Sequence, residues 1–358
     1  MHKTQKRTVQ QISYKHTLEV LGGHISIVFY DVTTLYFEIK QEDELRKTGF
    51  SKEGKHQNPQ IVLGLLVSVG GYPLAYEIYK GNKFEGDTML PVINLFKRKY
   101  KLKKLVIVAD AGLLSAKNIQ SLQNNHYEYI LGARIKNESA EIKAGILALE
   151  LKNGQSAVIR KDEQSKLIIS YSEPRAIKDN YNRQRGINKL EKQIKAKRLT
   201  KAHINNKGYN RFLKMTGDVK ISIDKTRINE DKKWDGLKGY ITNTTLSKEA
   251  VIENYRHLWN IEKAFRIAKT DIEIRPIYHQ LQRRIEAHIC LAFVAYKIYK
   301  ELERQLFEKK TALSVEKAIE IAKTIYSIKA QKPKSKEVFE RILLLNEEQK
   351  LLAKLFGF

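Results

Sequence analysis

Two aspartates occupy positions where a carboxylate is unusual. Asp31 lies within a run rich in β-branched and aromatic residues (ISIVFYDVTTLYF), and Asp110 directly follows the apolar run from Leu105 to Ala109. An unpaired carboxylate inside a sheet costs on the order of several kcal/mol, which a bound metal ion would offset. Clustered carboxylates are the preferred ligands of Mg²⁺ and Mn²⁺, and two such ions about 4 Å apart catalyse phosphoryl transfer. The alternative for Asp110 taken alone is a helix cap or a turn.

A third carboxylate is predicted to lie on a helix that packs against the sheet. The pattern from Ser247 to Thr270 predicts one long helix, whose shared face carries Tyr255, Trp259, Glu262, Arg266 and Lys269 at intervals of four and three. A face that mixes an aromatic residue, a carboxylate and two cations suits a metal ligand flanked by phosphate contacts. The alternative is an exposed ion pair between Glu262 and Arg266, which contributes only a few tenths of a kcal/mol.

The elements that must position these residues alternate between strands and helices. The pattern predicts strands at 25–37, 60–69 and 73–79, a helix at 87–100, a strand at 105–109, a helix at 115–124 and a strand at 129–132. The order β-β-β-α-β-α-β predicts an α/β fold with a mixed sheet and a ribonuclease-H-like core. Asp110 then lies at the C-terminal end of a strand of the kind buried in parallel sheets, where ligand sites form.

The remaining pattern divides the chain into five parts. They are a short N-terminal segment (1–24), the first part of the core (25–135), a basic and mostly β insertion (136–238), the completion of the core with the Glu262 helix (239–310), and C-terminal helices (311–358). In the insertion, strands are predicted at 156–160, 167–171 and 219–223. Beyond residue 280, helices are predicted at 281–307, 315–328 and 336–356.

Composition indicates an anionic partner. The formal net charge is +26, and residues 183–214 alone contain eleven Lys or Arg and one Glu. Phosphate neutralisation makes nucleic acid the leading candidate, and the 183–214 run is either a solvated surface segment or an arm that follows the phosphates. A generally lysine-rich proteome is the alternative. The single cysteine, Cys290, excludes an internal disulfide and a cysteine-based zinc site. Without an apolar leader or a long apolar span, we expect a cytoplasmic, nucleoid-associated protein with no membrane partner.

Three ordered blocks carry a family resemblance. They are FYDVTTLYFE with the glycine-containing stretch after it, VIVADAGLLSAKNIQSL, and YRHLWNIEKAFRIAKTDIEIRPIYH. The chain resembles insertion-sequence DDE transposases of the IS-four type, in the subgroup with a Tyr-x2-Arg-x3-Glu-x6-Lys signature. Tyr255, Glu262 and Lys269 stand at the signature spacing, whereas Leu258 occupies the Arg position. The phosphate contact that this Arg normally makes is therefore missing from the pattern.

The resemblance implies a site and its partners. It implies a ribonuclease-H-like core in which Asp31, Asp110 and Glu262 are the catalytic residues and hold two Mg²⁺ or Mn²⁺ ions. The residues it suggests for DNA contact are Tyr255, Arg266, Lys269, Arg256 and Trp234. Trp234 would stack on a flipped base, the alternative being simple packing beneath the insertion. The implied partners are double-stranded DNA at the transposon ends and in the target, and a second copy in a synaptic dimer. No nucleotide cofactor is implied.

Two other functions fit the same residues. A two-metal nuclease or resolvase would share the carboxylates but would not join DNA ends. A catalytically inactive DNA-binding remnant would account for the short segment before the first strand and for Leu258.

Overall fold

In the first third of the chain, the strands and helices follow one another in the predicted order. A computed structural model describes residues 2–50, 54, 57–102, 104–113, 115–216, 220–331, 333 and 336–358. The strands are β1 (Ile27–Tyr36), β2 (Gln60–Ser68), β3 (Pro73–Lys80), β4 (Val106–Ala109), β5 (Glu128–Ala133), β6 (Ser156–Arg160), β7 (Lys166–Tyr171), β8 (Leu213–Thr216), β9 (Lys220–Ile223), β10 (Leu237–Thr242), β11 (Tyr326–Gln331) and β12 (Val338–Leu343). The helices are α1 (His2–Val20), α2 (Met89–Tyr100), α3 (Ala116–Asn124), α4 (Ala140–Leu147), α5 (Glu173–Lys195), α6 (Lys225–Lys232), α7 (Lys248–Arg256), α8 (Trp259–Thr270), α9 (Gln282–Glu308), α10 (Val315–Lys323) and α11 (Glu347–Phe356).

Eight of the strands form one mixed sheet in the order β3-β2-β1-β4-β5-β10-β7-β6. β4 pairs in parallel with β1 and with β5, whereas β10 is antiparallel to β5 and to β7. The chain divides into two units: the first contains residues 1–25, 31–84 and 259–358, and the second contains 26–30 and 85–258. The α/β fold class and the predicted order of elements from β1 to β5 are therefore found in the structure.

The first unit is built on β2 and β3. All nine residues of β2 are buried, and α8 packs on this strand and on the turn that follows it. Helix α1 packs on β3 and α9, and its Gln10 donates a 3.1 Å hydrogen bond to the carbonyl oxygen of Tyr76. The 1–24 segment is thus a helix integrated into this unit. No helix in the described part of the chain has both the length and the apolar character needed to cross a bilayer.

The second unit has β4 at its centre. All four residues of β4 are buried between β1 and β5, and α7 contacts β4, β5 and β10. Helix α3 packs on β5 and begins as predicted, because the Ser115 side chain accepts a 3.1 Å hydrogen bond from the Asn118 backbone N–H. This arrangement sets the C-terminal end of β4, where Asp110 lies, beside α7.

The prediction that residues 136–238 are mostly β-structure is wrong in part. The longest element there is α5, with 23 residues, and β6 and β7 belong to the main sheet. The strand predicted at 219–223 is β9, although Val219 itself lies outside the described residues. Helix α5 forms because the basic run contains an apolar stripe at helical spacing, in which Ile187 and Leu190 pack against Phe212 in a separate small core. Charge density concealed this stripe in the sequence.

The C-terminal region is also not wholly helical. The predicted helix 315–328 ends at Lys323, and β11 and β12 form an antiparallel hairpin where helix was predicted. In β11 (YSIKAQ) apolar and polar residues alternate with a period of two, and Tyr326 pairs with Leu343 and Ala330 with Phe339 across the strands. Lys329 forms a 3.1 Å ion pair with Glu340, its direct cross-strand partner. The short period favours strand over helix.

A pH dependence follows from an ion pair within α9. Arg304 donates hydrogen bonds of 2.9 and 2.6 Å to Glu301, and these bonds are the main reason why the pKa of Glu301 is lowered to about 2. A carboxyl whose pKa is lowered on folding stabilises the fold above its unfolded pKa of 4.5 and loses that contribution as the pH falls towards 2. We expect Glu301→Gln to melt at a lower temperature than the native chain at pH 7, and this difference to disappear towards pH 2. Thermal unfolding by circular dichroism measures it.

Glu347→Gln is the control for this experiment. Glu347 is exposed and pairs with Lys350 one helical turn away. We expect this variant to follow the native chain at every pH. A Glu301→Gln difference that stays constant from pH 7 to pH 2 would contradict the assignment.

Candidate active site

Asp110 stands at the end of the central buried strand of the second unit. β4 ends at Ala109, and the chain turns into a short 3-10 helix at 111–113, in which the N–H of Leu113 donates a 3.1 Å bond to the Asp110 carbonyl oxygen. The Asp110 side chain is exposed. The strand is thus followed by a carboxylate at its C-terminal end, and the C-terminal ends of parallel strands are where open α/β sheets form ligand sites.

Asp31 directly follows the part of β1 that pairs with β4. β1 and β4 run in parallel, and Tyr30 is paired with Ala109. The residue that follows Tyr30 along its strand is Asp31, and the residue that follows Ala109 is Asp110. Asp31 is half-buried. Each aspartate thus directly follows one residue of this pair.

Tyr255 contacts Asp110 directly. Its hydroxyl donates a 3.0 Å hydrogen bond to Oδ1 of Asp110, across 145 positions of sequence. The Tyr255 ring is 6% exposed and packs edge-on against Tyr240 at 4.9 Å between centroids. The Nζ atom of Lys238 lies 4.5 Å from the Tyr255 ring centroid, within the range of a cation–π contact. The first residue of the predicted signature is thus joined to the second predicted catalytic aspartate.

The prediction of a single helix from Ser247 to Thr270 is wrong. The chain forms α7 and α8, separated at His257 and Leu258. The Leu258 N–H bonds to the Tyr255 carbonyl at 3.0 Å, three residues back, so the four-residue hydrogen-bond ladder of α7 is interrupted. Tyr255 therefore does not share a helix face with Glu262.

The rest of the predicted face lies on α8. Trp259, Glu262 and Arg266 are exposed, and Lys269 is half-buried. No ion pair joins Glu262 to Arg266 in the described part of the chain, so the alternative proposed for these two residues is not found. Glu262 is thus an exposed carboxylate in the first turn of a helix that packs on β2.

The other predicted DNA contacts differ in exposure. Arg256 is exposed at the end of α7 and forms a 3.4 Å ion pair with Glu253. Trp234 is half-buried and borders two neighbouring clefts, so it is neither fully packed nor fully free for stacking. Leu258, at the signature Arg position, is 6% exposed and belongs to the core.

A polar cleft of about 720 Å³ opens beside Asp110 in the second unit. Its lining includes Asp110, Tyr255, Lys238, Arg134 and Trp234. Three further cations in the lining, Lys136, Arg183 and Arg211, pair with Asp231. The sequence analysis did not single out Lys238 or Gly132, because the sequence carries no signal for their roles.

The donor chemistry of the predicted ligands fits a hard divalent cation, since all three are carboxylates. Asp110 and Glu262 are exposed, and Oδ1 of Asp110 is oriented by the Tyr255 hydroxyl. Among the residues that the structure describes, no three His, Cys, Asp or Glu side chains are grouped closely enough to hold a metal ion. The fit therefore rests on the ligand types and on the orientation of Asp110.

Gly132 is required for the contact between Tyr255 and Asp110. A Cβ atom at Gly132 would lie 2.5 Å from the Tyr255 hydroxyl oxygen and 3.0 Å from the Ala111 backbone nitrogen. We expect Gly132→Ala to displace the Tyr255 hydroxyl and to lower the free energy of unfolding by about 1–3 kcal/mol. Urea unfolding measures this loss. Gly145→Ala in α4 is the control, because a Cβ there meets nothing within 4 Å and alanine favours a helix. Equal stability of both variants would contradict the prediction.

Comparison with known proteins identifies the family. Residues 22–298 match the family model described as "Transposase DDE domain", and the chain therefore belongs to that family. A search of functionally curated proteins finds no match.

Solved structures that match are also transposases. One is a piggyBac transposase synaptic complex with hairpin DNA, at 9% identity and a TM-score of 0.45, over 82% of this chain and 50% of that one. Another is the Mos1 transposase paired-end complex with the left transposon end, at 12% identity and a TM-score of 0.22, over 36% of this chain and 42% of that one. A third is the Mos1 mariner paired-end complex with Mn, at 14% identity and 0.20, over 36% and 43%. This chain spans half or less of the length of each.

Proposed function

We propose that the chain is a transposase that cleaves DNA at the ends of an insertion sequence and joins them to target DNA. The observation that carries the proposal is the hydrogen bond from Tyr255 to Asp110, in a chain that belongs to the transposase DDE family. It supports a specific assignment, because it links the tyrosine of the predicted signature to a predicted catalytic carboxylate. We assign the chain to the IS-four type on that signature and its core to the ribonuclease-H-like fold.

Asp31, Asp110 and Glu262 would hold the metal ions in this proposal. Two bound Mg²⁺ or Mn²⁺ ions would supply an activated water or hydroxyl and stabilise the leaving oxygen. Two features support the assignment: the aspartates follow directly after Tyr30 and Ala109, which are partners in a parallel pair, and Glu262 is exposed in the first turn of α8. Tyr255 would hold the Asp110 carboxylate in one orientation through its hydroxyl.

The cationic and aromatic residues would position DNA. Arg266 and Lys269, four and seven positions after Glu262, would contact the backbone phosphates of the cleaved strand, and Arg256 those of the flanking duplex. Trp234, at the border of the cleft beside Asp110, would stack on an unpaired base. The partners are double-stranded DNA, both as transposon end and as target, and a second copy in a synaptic dimer. No nucleotide cofactor takes part, and the site of action is the nucleoid.

A strand-transfer assay tests the function. The full chain is incubated with Mn²⁺, a labelled duplex carrying the ends of its own element, and a supercoiled target plasmid. We expect the label to become covalently joined to the plasmid. Cleavage of the duplex without joining would support the nuclease or resolvase alternative, and salt-sensitive binding without cleavage would support the inactive remnant.

A further inference from the structure

Leu258 occupies the position at which the family signature has an Arg, so the proposed reaction lacks the cation that this Arg would supply. The family resemblance assigns a phosphate contact to an Arg at this position, but Leu258 is buried in the core. Charge develops on the phosphate oxygens during the displacement, and a fixed cation there stabilises the transition state. Another residue near Asp110 must supply that charge if the chain is active.

Lys238 is a cation of the second unit that contacts Tyr255, the residue bonded to Asp110. It lies on β10, two positions before Tyr240, and its Nζ atom is 4.5 Å from the Tyr255 ring centroid and 5.4 Å from that of Tyr240. The same Tyr255 donates its hydroxyl to Asp110, and both Lys238 and Asp110 line the 720 Å³ cleft. The ammonium group of Lys238 thus lies against two aromatic rings, and its backbone belongs to a strand of the main sheet.

The other cations of this cleft are less suited to the task. Lys136, Arg183 and Arg211 are engaged by Asp231, and Arg175 lies 3.7 Å from Asp179. Arg134 is exposed and follows the end of β5. Arg134 is therefore the one competing residue that an experiment must separate from Lys238.

We propose that Lys238 contacts the DNA phosphate beside Asp110 and replaces the charge that Leu258 cannot provide. This inference rests on the proposed function, since it names the phosphate-binding cation of the same site. The ligand is a phosphodiester of the cleaved DNA strand. The alternative for Lys238 is a purely structural one, in which its stem and charge only support the Tyr255 ring.

Four variants separate these possibilities: Lys238→Met, Lys238→Arg, Arg134→Met and Lys233→Met. Methionine keeps the packing of the lysine stem but removes the charge, and arginine keeps the charge. Lys233 is the control, because it is exposed and pairs with Glu230 at 2.8 Å. Each full-length variant is measured for Mn²⁺-dependent cleavage of end duplex, for the salt dependence of DNA binding without metal, and for thermal unfolding.

We expect Lys238→Met to reduce cleavage at least about tenfold. We expect the slope of log K against log salt to fall by about 0.9, which corresponds to one lost phosphate contact. Unfolding should be unchanged, Lys238→Arg should keep most of the activity, and Lys233→Met should match the native chain. Loss of both stability and activity in Lys238→Met would overturn the inference in favour of the structural role. Loss of cleavage in Arg134→Met alone would also overturn it.

The failure of this inference differs from failure of the proposed function. If the native chain does not cleave DNA under any of these conditions, the proposed function fails, and the salt slope alone decides whether Lys238 contacts a phosphate. If the native chain cleaves and Lys238→Met cleaves equally well with an unchanged slope, only the inference fails.

Discussion

Replacement of Asp110 by Asn is expected to lower metal-dependent DNA cleavage by about a thousandfold, while DNA binding changes little. The amide keeps the shape of the side chain and can still accept the hydrogen bond from Tyr255. It lacks the negative charge that a hard divalent cation requires, and the loss of metal catalysis is on the order of several kcal/mol. Each 1.4 kcal/mol corresponds to about a tenfold change in rate.

The measurement compares initial rates of end cleavage in Mn²⁺ with gel-shift affinities over a range of salt concentrations. Asp87→Asn is the matched control, since Asp87 is a surface residue that pairs with Lys117 at 3.5 Å. We expect this control to cleave at the native rate. Equal cleavage by Asp110→Asn and the native chain would exclude the assignment of Asp110 as a metal ligand. Loss of DNA binding in Asp110→Asn would indicate a damaged fold instead.

The second large effect is expected at Arg183, which anchors α5. Arg183 is 4% exposed and donates a 2.6 Å hydrogen bond to Asp235, while Asp231 lies 3.5 Å away. The hydrogen bonds that Arg183 donates to Asp235 raise the pKa of Arg183. Burial alone would raise the pKa of Asp231, but the bond from Lys136 and the neighbouring cations outweigh it and lower that pKa. Arg183 and Asp231 are therefore held in their charged forms, with side chains that are only 4% and 14% exposed.

We expect Arg183→Met to lower the free energy of unfolding of the second unit by about 3 kcal/mol, because it leaves the Asp235 carboxylate without its cation. Urea unfolding followed by the fluorescence of Trp234, in a Trp259→Phe background, reports on this unit. Arg175→Met on the same helix is the control: Arg175 is half-exposed, its distance to Asp179 is 3.7 Å, and its removal should cost no more than about 0.5 kcal/mol. Equal effects of the two variants would contradict the role of the Arg183 network.

Local pattern was sufficient for most of the core. The strands that bear Asp31 and precede Asp110 are observed as β1 and β4, and the helix predicted at 115–124 is observed as α3, with Ser115 as its cap. Periodicity and capping are properties of neighbouring residues, which is why these elements can be read from a single sequence. The same reasoning failed at α5, where the charged residues concealed the apolar stripe, and at the β11–β12 hairpin, where helix was predicted.

The site was predicted as residue types rather than as contacts. Spacing singled out Tyr255 and Glu262 as parts of one signature, but it placed them on one helix, whereas the helix ends after Arg256 and a new one begins at Trp259. The roles of Lys238 and Gly132 had no sequence signal, because each depends on where the Tyr255 side chain lies.

The sequence by itself thus determined the membership of the transposase DDE family, the order of strands and helices to β5, and the carboxylates that carry the proposed chemistry. Only the tertiary structure decided that Tyr255 reaches Asp110 and that the polar cleft opens beside them. The physical reason is the sheet register, in which Tyr240 pairs with Gly132 and creates the space in which the Tyr255 hydroxyl lies. Such a register is set by packing over more than a hundred residues of chain, which no local pattern encodes.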